Sequence, residues 1–421
     1  MTRLLDKVEA AIARVEALPA DTRRAIFTAF SPERIRAEAA RLQARHDSGE
    51  DMALFGTLIS IKDLFDEAGQ VTSAGSRLLA DRAAARDDAV AVARLRQAGA
   101  LMFGRSTMSE FAYSGVGLNP HYGTPSSALV PGVMPGGSTS GGAVAVALGL
   151  VDAAIGTDTG GSLRIPAAAN GLWGMKPSQG LIDATGVHPL APTYDTPGPM
   201  ARDPGLLRAI LAIMAAQPLL AEAPRHLRLA VPEGAFTNDL TPEVAALFDA
   251  EKTRIEAQGH ELVPVDFGWL GARIGLNRII VAVEAHRIYA GDLDRLAQIG
   301  DPRVLARIRF AETLTQAQID DAYAARAEIT RRFDAAMEGF DALLTPTLMM
   351  LPPTIAEVEA DFDRLNAAML RNTSLANLAD GCALAMPTPG LAPAWSMTML
   401  VGRKGQDAGL LAVAGRICAV F

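Results

Sequence analysis

The chain has 421 residues, 49% of them hydrophobic and 20% charged, with a formal net charge of −8. That composition can bury a large core and excludes a disordered chain, while an acidic balance without a basic block argues against nucleic acid or an anionic membrane surface as partner. Of the 39 basic residues, 34 are arginine and only five are lysine, at positions 7, 62, 176, 252 and 404.

Residues 1–50 read as a helical preamble. Leu4, Leu5, Val8, Ile12, Val15 and Leu18 recur at helical spacing, and Ser31-Pro32 supplies an N-cap and an N1 proline to a second amphipathic helix. Charges every few residues leave no apolar h-region for an export signal. No apolar stretch reaches the ~20 residues that span a bilayer. Leu54–Asp63 is a short apolar, β-branched run and reads as a strand. Asp87-Asp88 opens a helix ending at Gly99, and Ala100–Gly104 is a second strand, completing a βαβ unit. A small-residue helix at Gly141–Leu150, a strand at Ala153–Gly156, a glycine turn and the segment SLRIPAAA repeat the alternation. Further along come a strand at His226–Glu233, a capped helix at Thr241–Gly259 and a strand HELVPVDF. Helices then run from about Gly271 to Phe340, followed by strands at Asp341–Met350 and Trp395–Gly402 and a terminal helix through Phe421. Neither an internal repeat nor a linker divides the chain. One large α/β domain is expected, with residues 51–204 as catalytic core and residues 205–421 as the remaining sheet and the substrate pocket.

Chemistry concentrates between Pro135 and Gly180, where Gly136-Gly137-Ser138 and Gly160-Gly161-Ser162 each precede a helix-compatible run. Paired glycines let backbone N–H groups approach an oxyanion or a phosphate. A P-loop is excluded because no lysine follows a second glycine, and neither G-x-G-x-x-G nor G-x-S-x-G is present. Two framed serines need a base. Arginine stays protonated, whereas a desolvated lysine gives up its proton. Lys62 closes the apolar run LISIK, where burial would depress its pKa. A structural reading has Lys62 snorkelling to water or pairing with Asp63 or Asp66. Lys176, in GMKP, competes for the base role.

The other titratable residues carry less. Cys382 and Cys418 stand apart, which excludes a disulfide framework or a cysteine zinc site and reads as two small buried hydrophobes in a reducing cytoplasm. His46, His121, His188, His226, His260 and His286 lack metal-ligand spacing, so no metal is expected. Asp87-Asp88 and Asp320-Asp321 read as helix-start or solvated carboxylates.

With FGTLISIKD around Lys62, PGGSTSGG at 135–142, GTDTGGSLRIPAAANGLWGMKPSQG at 156–180 and DTPGPMARD at 195–203, the chain resembles the amidase signature family of serine hydrolases. Weaker echoes are SEFA at 109–112, NPHYGTP at 119–125 and LLTPT at 343–347. The resemblance implies a mixed β-sheet flanked by helices, with Ser162 as nucleophile, Ser138 as bridging serine on a cis peptide after Gly137, and Lys62 as base. It further implies an oxyanion hole from Thr159, Gly160, Gly161 and Ser162, a supporting ion pair between Asp158 and Arg164, and substrate contacts at Ala112 and Gly137. The implied activity is cofactor-free cleavage of a small-molecule amide or carbamate. The alternative is a glutamine-hydrolysing A-type subunit of a tRNA-dependent amidotransferase. Thr139-Ser140 and the stretch SSALVPGVM depart from the commoner family pattern, and the region after Pro204 is short. Met and Leu in TLMMLPP (347–353) and FDRLNAAMLRN (362–372) read as core, or as a hydrophobic wall if they reach the pocket. A homodimer is the base-rate expectation for assembly.

Overall fold

The computed structural model describes residues 4–388 and 390–419. Its strands are β1 (Phe27–Ala29), β2 (Leu58–Lys62), β3 (Leu101–Ser106), β4 (Ala153–Asp158), β5 (Trp173–Lys176), β6 (Thr196–Ala201), β7 (Arg228–Glu233), β8 (Glu261–Asp266), β9 (Ala342–Pro346), β10 (Cys382–Met386) and β11 (Thr398–Gly402). They form one sheet in the order β1-β3-β2-β4-β6-β5-β10-β11-β9-β7-β8. β2 runs parallel to β3 and β4, and β7 runs parallel to β8 and β9. The remaining pairs are antiparallel, so the sheet is mixed.

Helices cover both faces. Ile59, Ile61 and Ile155 pack with Val92, Leu95, Leu207 and Ile210 in one cluster, while Leu58, Leu101 and Ala154 pack with Val8, Ile12 and Leu42 of the N-terminal helices in another. Each fully buried Leu or Ile contributes about 1.5–3 kcal/mol. Every position of β2, β4, β9, β10 and β11 is buried, as expected for strands covered on both sides.

Four strands lie outside the sequence expectation: β1, β5, β6 and β10. β6, TPGPMA, contains two prolines, which normally disqualify an inner strand. Pro197 and Pro199 are two residues apart and share one edge. The β5 ladder reaches only Ala201 and Met200 and stops before that edge needs N–H donors. β10 is a five-residue apolar run that periodicity cannot separate from a helix.

Two caps also differ. The helix expected from Asp87 begins at Val90 with Ala89 at its N-cap. Asp88 instead accepts from the Ala68 N–H at 2.8 Å and from Arg96 Nε at 2.9 Å. Thr241 holds the N-cap position of Pro242–Ala257, but its hydroxyl makes no capping bond and is buried without a partner among the described residues. The terminal helix runs Asp407–Cys418, and its expected last two residues lie outside the described ones. Among the described residues no helix is long and apolar enough to cross a membrane.

Candidate active site

β2 carries Lys62 to its C-terminal end, between β3 and β4. The side chain is 0% exposed. Its Nζ donates to Ser138 Oγ at 2.8 Å and to Thr157 Oγ1 at 2.9 Å, the latter from the neighbouring β4. The adjacent carboxylates are taken: Asp63 by Arg105 Nε at 2.7 Å and by the Ser73 hydroxyl, and Asp66 by Thr72 Oγ1 at 2.6 Å. The pairing that a structural role for Lys62 would use is therefore absent. Desolvation pulls the Lys62 pKa down to about 7, against the upward pull of the Asp195 and Asp158 charges.

Ser138 is fully buried, two residues ahead of the helix Ser140–Ala147, and the Gly137–Ser138 peptide is cis. A Cβ on Gly137 would lie 2.4 Å from the Gly117 nitrogen and 2.9 Å from the Ser114 carbonyl. Gly137 therefore answers to packing against the 114–117 loop, and it does not line the cavity.

Ser162 is 3% exposed and opens on a cavity of about 630 Å³, which Thr159, Gly160 and Ala112 also line. Its hydroxyl makes no hydrogen bond to Ser138. Gly160, Gly161 and Ser162 spend no backbone N–H on another backbone carbonyl among the described residues, which leaves donors for a ligand oxygen. Gly161 stands at φ +141°, and a Cβ there would meet Thr373 Oγ1 at 2.2 Å, so no other residue fits. Thr373 Oγ1 also holds the Gly160 carbonyl at 2.7 Å.

Asp158 and Arg164 are both fully buried and form a bidentate pair, Nε to Oδ2 at 3.0 Å and Nη2 to Oδ1 at 2.9 Å. Asn377 joins both partners, accepting from Arg164 at 2.6 Å and donating to Asp158 at 2.9 Å. Burial would raise the Asp158 carboxyl, but the Arg164 charge and hydrogen bonds reverse this and hold it below the usual range. Asp158 also accepts from the Leu163 N–H at 3.1 Å, which fixes the turn carrying Ser162.

The structure adds residues that the sequence reading did not assign. Asp195, inside the DTPGPMARD segment, accepts from Thr159 Oγ1 at 2.5 Å and from the Leu190 and Ala191 N–H groups at 2.8 and 3.0 Å. Its carboxyl is pushed up to about 6 by burial, against those hydrogen bonds and the Lys62 charge. Most of the remaining cavity wall comes from helices Gly275–Tyr289, Pro302–Arg309 and Phe362–Leu378. In the last of these, Leu365 and Met369 are core as expected, but Asp363, Asn366 and Arg371 face the cavity. Leu370 and, from the 347–353 segment, Met349 line it as well, so the wall mixes polar and apolar side chains. Lys176 is buried on β5 but reaches no serine; its Nζ donates to the Pro177 carbonyl at 2.9 Å. Among the described residues no group of three or more His, Cys, Asp or Glu could hold a metal.

A mixed α/β sheet that places a buried amine on one serine, with a second serine at a cavity among free backbone N–H groups, defines a hydrolytic enzyme. Comparison with known proteins gives the family. Residues 6–411 match the family model named Amidase. The chain is 31% identical over 381 residues to 2-amino-5-chloromuconic acid deaminase of Comamonas testosteroni, covering 86% of this chain and 80% of that one. It is also 31% identical over 424 residues to the A-type subunit of glutamyl-tRNA(Gln) amidotransferase from Pseudomonas putida (strain W619), covering 90% and 86%. The crystal structure of an amidase superposes with a TM-score of 0.91 at 31% identity, over 99% of this chain and 96% of the other. The chain belongs to the amidase signature family and is a hydrolase of carbon–nitrogen bonds.

Proposed function

We propose that the protein cleaves a small-molecule amide or carbamate through an acyl-enzyme on Ser162, with Ser138 and Lys62 as proton relay and without a cofactor. Neutral Lys62 takes the hydroxyl proton of Ser138 as Ser138 takes that of Ser162, whose Oγ adds to the carbonyl carbon. The C–N bond then breaks as the relay returns the proton to the departing nitrogen. Water, giving its proton to the same relay, adds to the acyl carbon and releases Ser162. The backbone N–H groups of Thr159, Gly160, Gly161 and Ser162 would hold the oxyanion, and losing one such donor typically costs about 10²–10³ in rate. The observation that carries this reading is the 2.8 Å contact between Lys62 Nζ and Ser138 Oγ, in surroundings that bring the amine to about 7. The Ser138–Ser162 bond would form when substrate binds, since catalytic hydrogen bonds often tighten only in the complex.

A fluorophosphonate probe followed by peptide mass spectrometry is expected to label Ser162, and Ser162→Ala is expected to abolish both labelling and turnover. Label on another residue, or turnover by the variant, contradicts the reading. A second reading, a glutamine-hydrolysing component of an amidotransferase, draws on the relative of that name. Hydrolysis of simple amides by the chain purified alone favours the first; activity only on glutamine and only with a co-purified partner favours the second.

A further inference from the structure

Among the described residues five asparagines are buried: Asn119, Asn170, Asn366, Asn372 and Asn377. Four of them use both ends of the side-chain amide. Asn119 donates to the Gly75 and Met108 carbonyls and accepts from the His121 and Tyr122 N–H groups. Asn170 donates to the Pro135 and Pro166 carbonyls and accepts from the Ala128 N–H. Asn372 donates to the Phe236 and Pro346 carbonyls and accepts from Arg371, and Asn377 bridges Asp158 and Arg164. Asn366, on helix Phe362–Leu378, is the exception, and it is the one of the five that lines the cavity of Ser162. It is 4% exposed. Its Oδ1 accepts from the Gly115 N–H at 2.8 Å and from Ser114 Oγ at 3.3 Å, while its Nδ2 has no partner among the described residues. A backbone N–H can only donate, so the Gly115 bond decides which end of the amide is the oxygen and leaves the NH2 group to the cavity. Buried amide donors without an acceptor are rare and costly. The Gly115 carbonyl in turn accepts from the Gly137 N–H at 2.8 Å, so the bond that orients Asn366 also ties this wall to the turn carrying Ser138.

We propose that Asn366 is a specificity-determining residue: its NH2 group donates to a carbonyl or hydroxyl oxygen that the substrate carries beside its scissile amide, while the amide carbon lies at Ser162. The proposal rests on the reading of Ser162 as nucleophile. The donors are uncharged, so an uncharged oxygen is enough to pair them. A substrate with a methyl or methylene group in that place leaves the NH2 desolvated and unpaired, and a site built to hydrogen-bond a substrate rejects the analogue that lacks the partner more strongly than an apolar pocket rejects a misfit. Because Oδ1 is held by the 114–115 loop, the NH2 is oriented before the substrate arrives, which lowers the cost of ordering it on binding.

Three matched pairs test this: glycolamide with propionamide, 3-hydroxypropanamide with butyramide, and 4-oxopentanamide with pentanamide, each placing an oxygen where its partner has carbon. In the native enzyme the best oxygenated amide is expected to exceed its partner by about 5- to 50-fold in kcat/KM. Asn366→Asp, assayed at pH 8 with the carboxylate ionised, keeps an oxygen for the Gly115 N–H and presents an acceptor where the NH2 was. It should bring the ratio to one or below with the melting temperature nearly unchanged. Asn366→Leu, which also gives up the Gly115 bond, should bring the ratio to one at a lower melting temperature. Dividing the native ratio by the variant ratio for the same pair cancels the intrinsic reactivity of the two amides. Native ratios near one for all three pairs, turnover of none of the six amides, or an excess that survives Asn366→Asp overturns the proposal. Equal slowing of both members of every pair in Asn366→Asp also overturns it and leaves Asn366 as a support for Gly115 and the Ser138 turn. If Ser162→Ala still hydrolyses amides, the nucleophile reading fails. If Ser162→Ala is inactive and no pair discriminates in the native enzyme, only the Asn366 assignment fails.

Discussion

Two strand ends among the described residues of this sheet carry a buried lysine, and only one of the two meets a serine. Lys62 closes β2 and Lys176 closes β5; burial drives both amines down, to about 7 and about 8. The other three lysines pair with carboxylates at the surface: Lys7 with Asp152, Lys252 with Asp249 and Lys404 with Asp380. What separates the buried two is their partners. Lys62 reaches the hydroxyls of Ser138 and Thr157, whereas Lys176 reaches the Pro177 carbonyl, which has no proton to give. A depressed pKa makes an amine neutral. A hydroxyl within hydrogen-bond distance is what lets it act as a base.

The largest effect expected is outside the lysines, at Ser162, the proposed nucleophile. Ser162→Ala should cost on the order of 10⁵–10⁶ in kcat, with the melting temperature nearly unchanged; a loss below tenfold would remove the reason to contrast the two lysines. Next, Lys62→Ala should lose about 10²–10⁴ in kcat/KM, while Lys176→Met stays within about threefold. Equal losses at the two positions would erase the distinction.

Stability should instead unite them. A lysine whose folded pKa lies below its unfolded value binds fewer protons when folded, so stability is lost as pH falls from about 10 towards the folded pKa and is recovered as pH rises. That window reaches down to about 7 for Lys62 and about 8 for Lys176. Lys62→Met and Lys176→Met are each expected to stabilise by about 1–3 kcal/mol at pH 6 and by less at pH 9. Thermal melts at the two pH values measure this, and a gap that widens at pH 9 would have the wrong sign. The smallest effect belongs to Asp195, whose charge supports protonated Lys62. Asp195→Asn should move the midpoint of the kcat/KM profile down by about half to one pH unit; an upward move would show that Asp195 does not raise the Lys62 pKa.

The proposed trio of Lys62, Ser138 and Ser162 was legible because each member sits in a short local pattern. Lys62 ends an apolar run in a chain with 34 arginines and only five lysines, and both serines follow paired glycines. The contact of Asp195 with Thr159 was not legible, because the two are 36 residues apart in sequence. Asp195 meets Thr159 only because the end of β4 pairs with the start of β6 in the folded sheet. The Phe362–Leu378 helix shows how periodicity misleads. Its Leu365 and Met369 are core, yet the face towards the cavity carries Asp363, Asn366 and Arg371 beside Leu370. β6 escaped notice for a different reason: its two prolines argue against a strand until the neighbouring ladder is seen to stop short of them.

The central claim is that Lys62 works as a neutral amine. The pH dependence of kcat/KM between pH 5 and 9, on an amide that does not itself titrate, tests it most directly. The account predicts a rise of about tenfold per pH unit that levels off near pH 7, where the Lys62 amine loses its proton, and the disappearance of that rising limb in Lys62→Ala. A flat native profile, or the same limb persisting in Lys62→Ala, would contradict it.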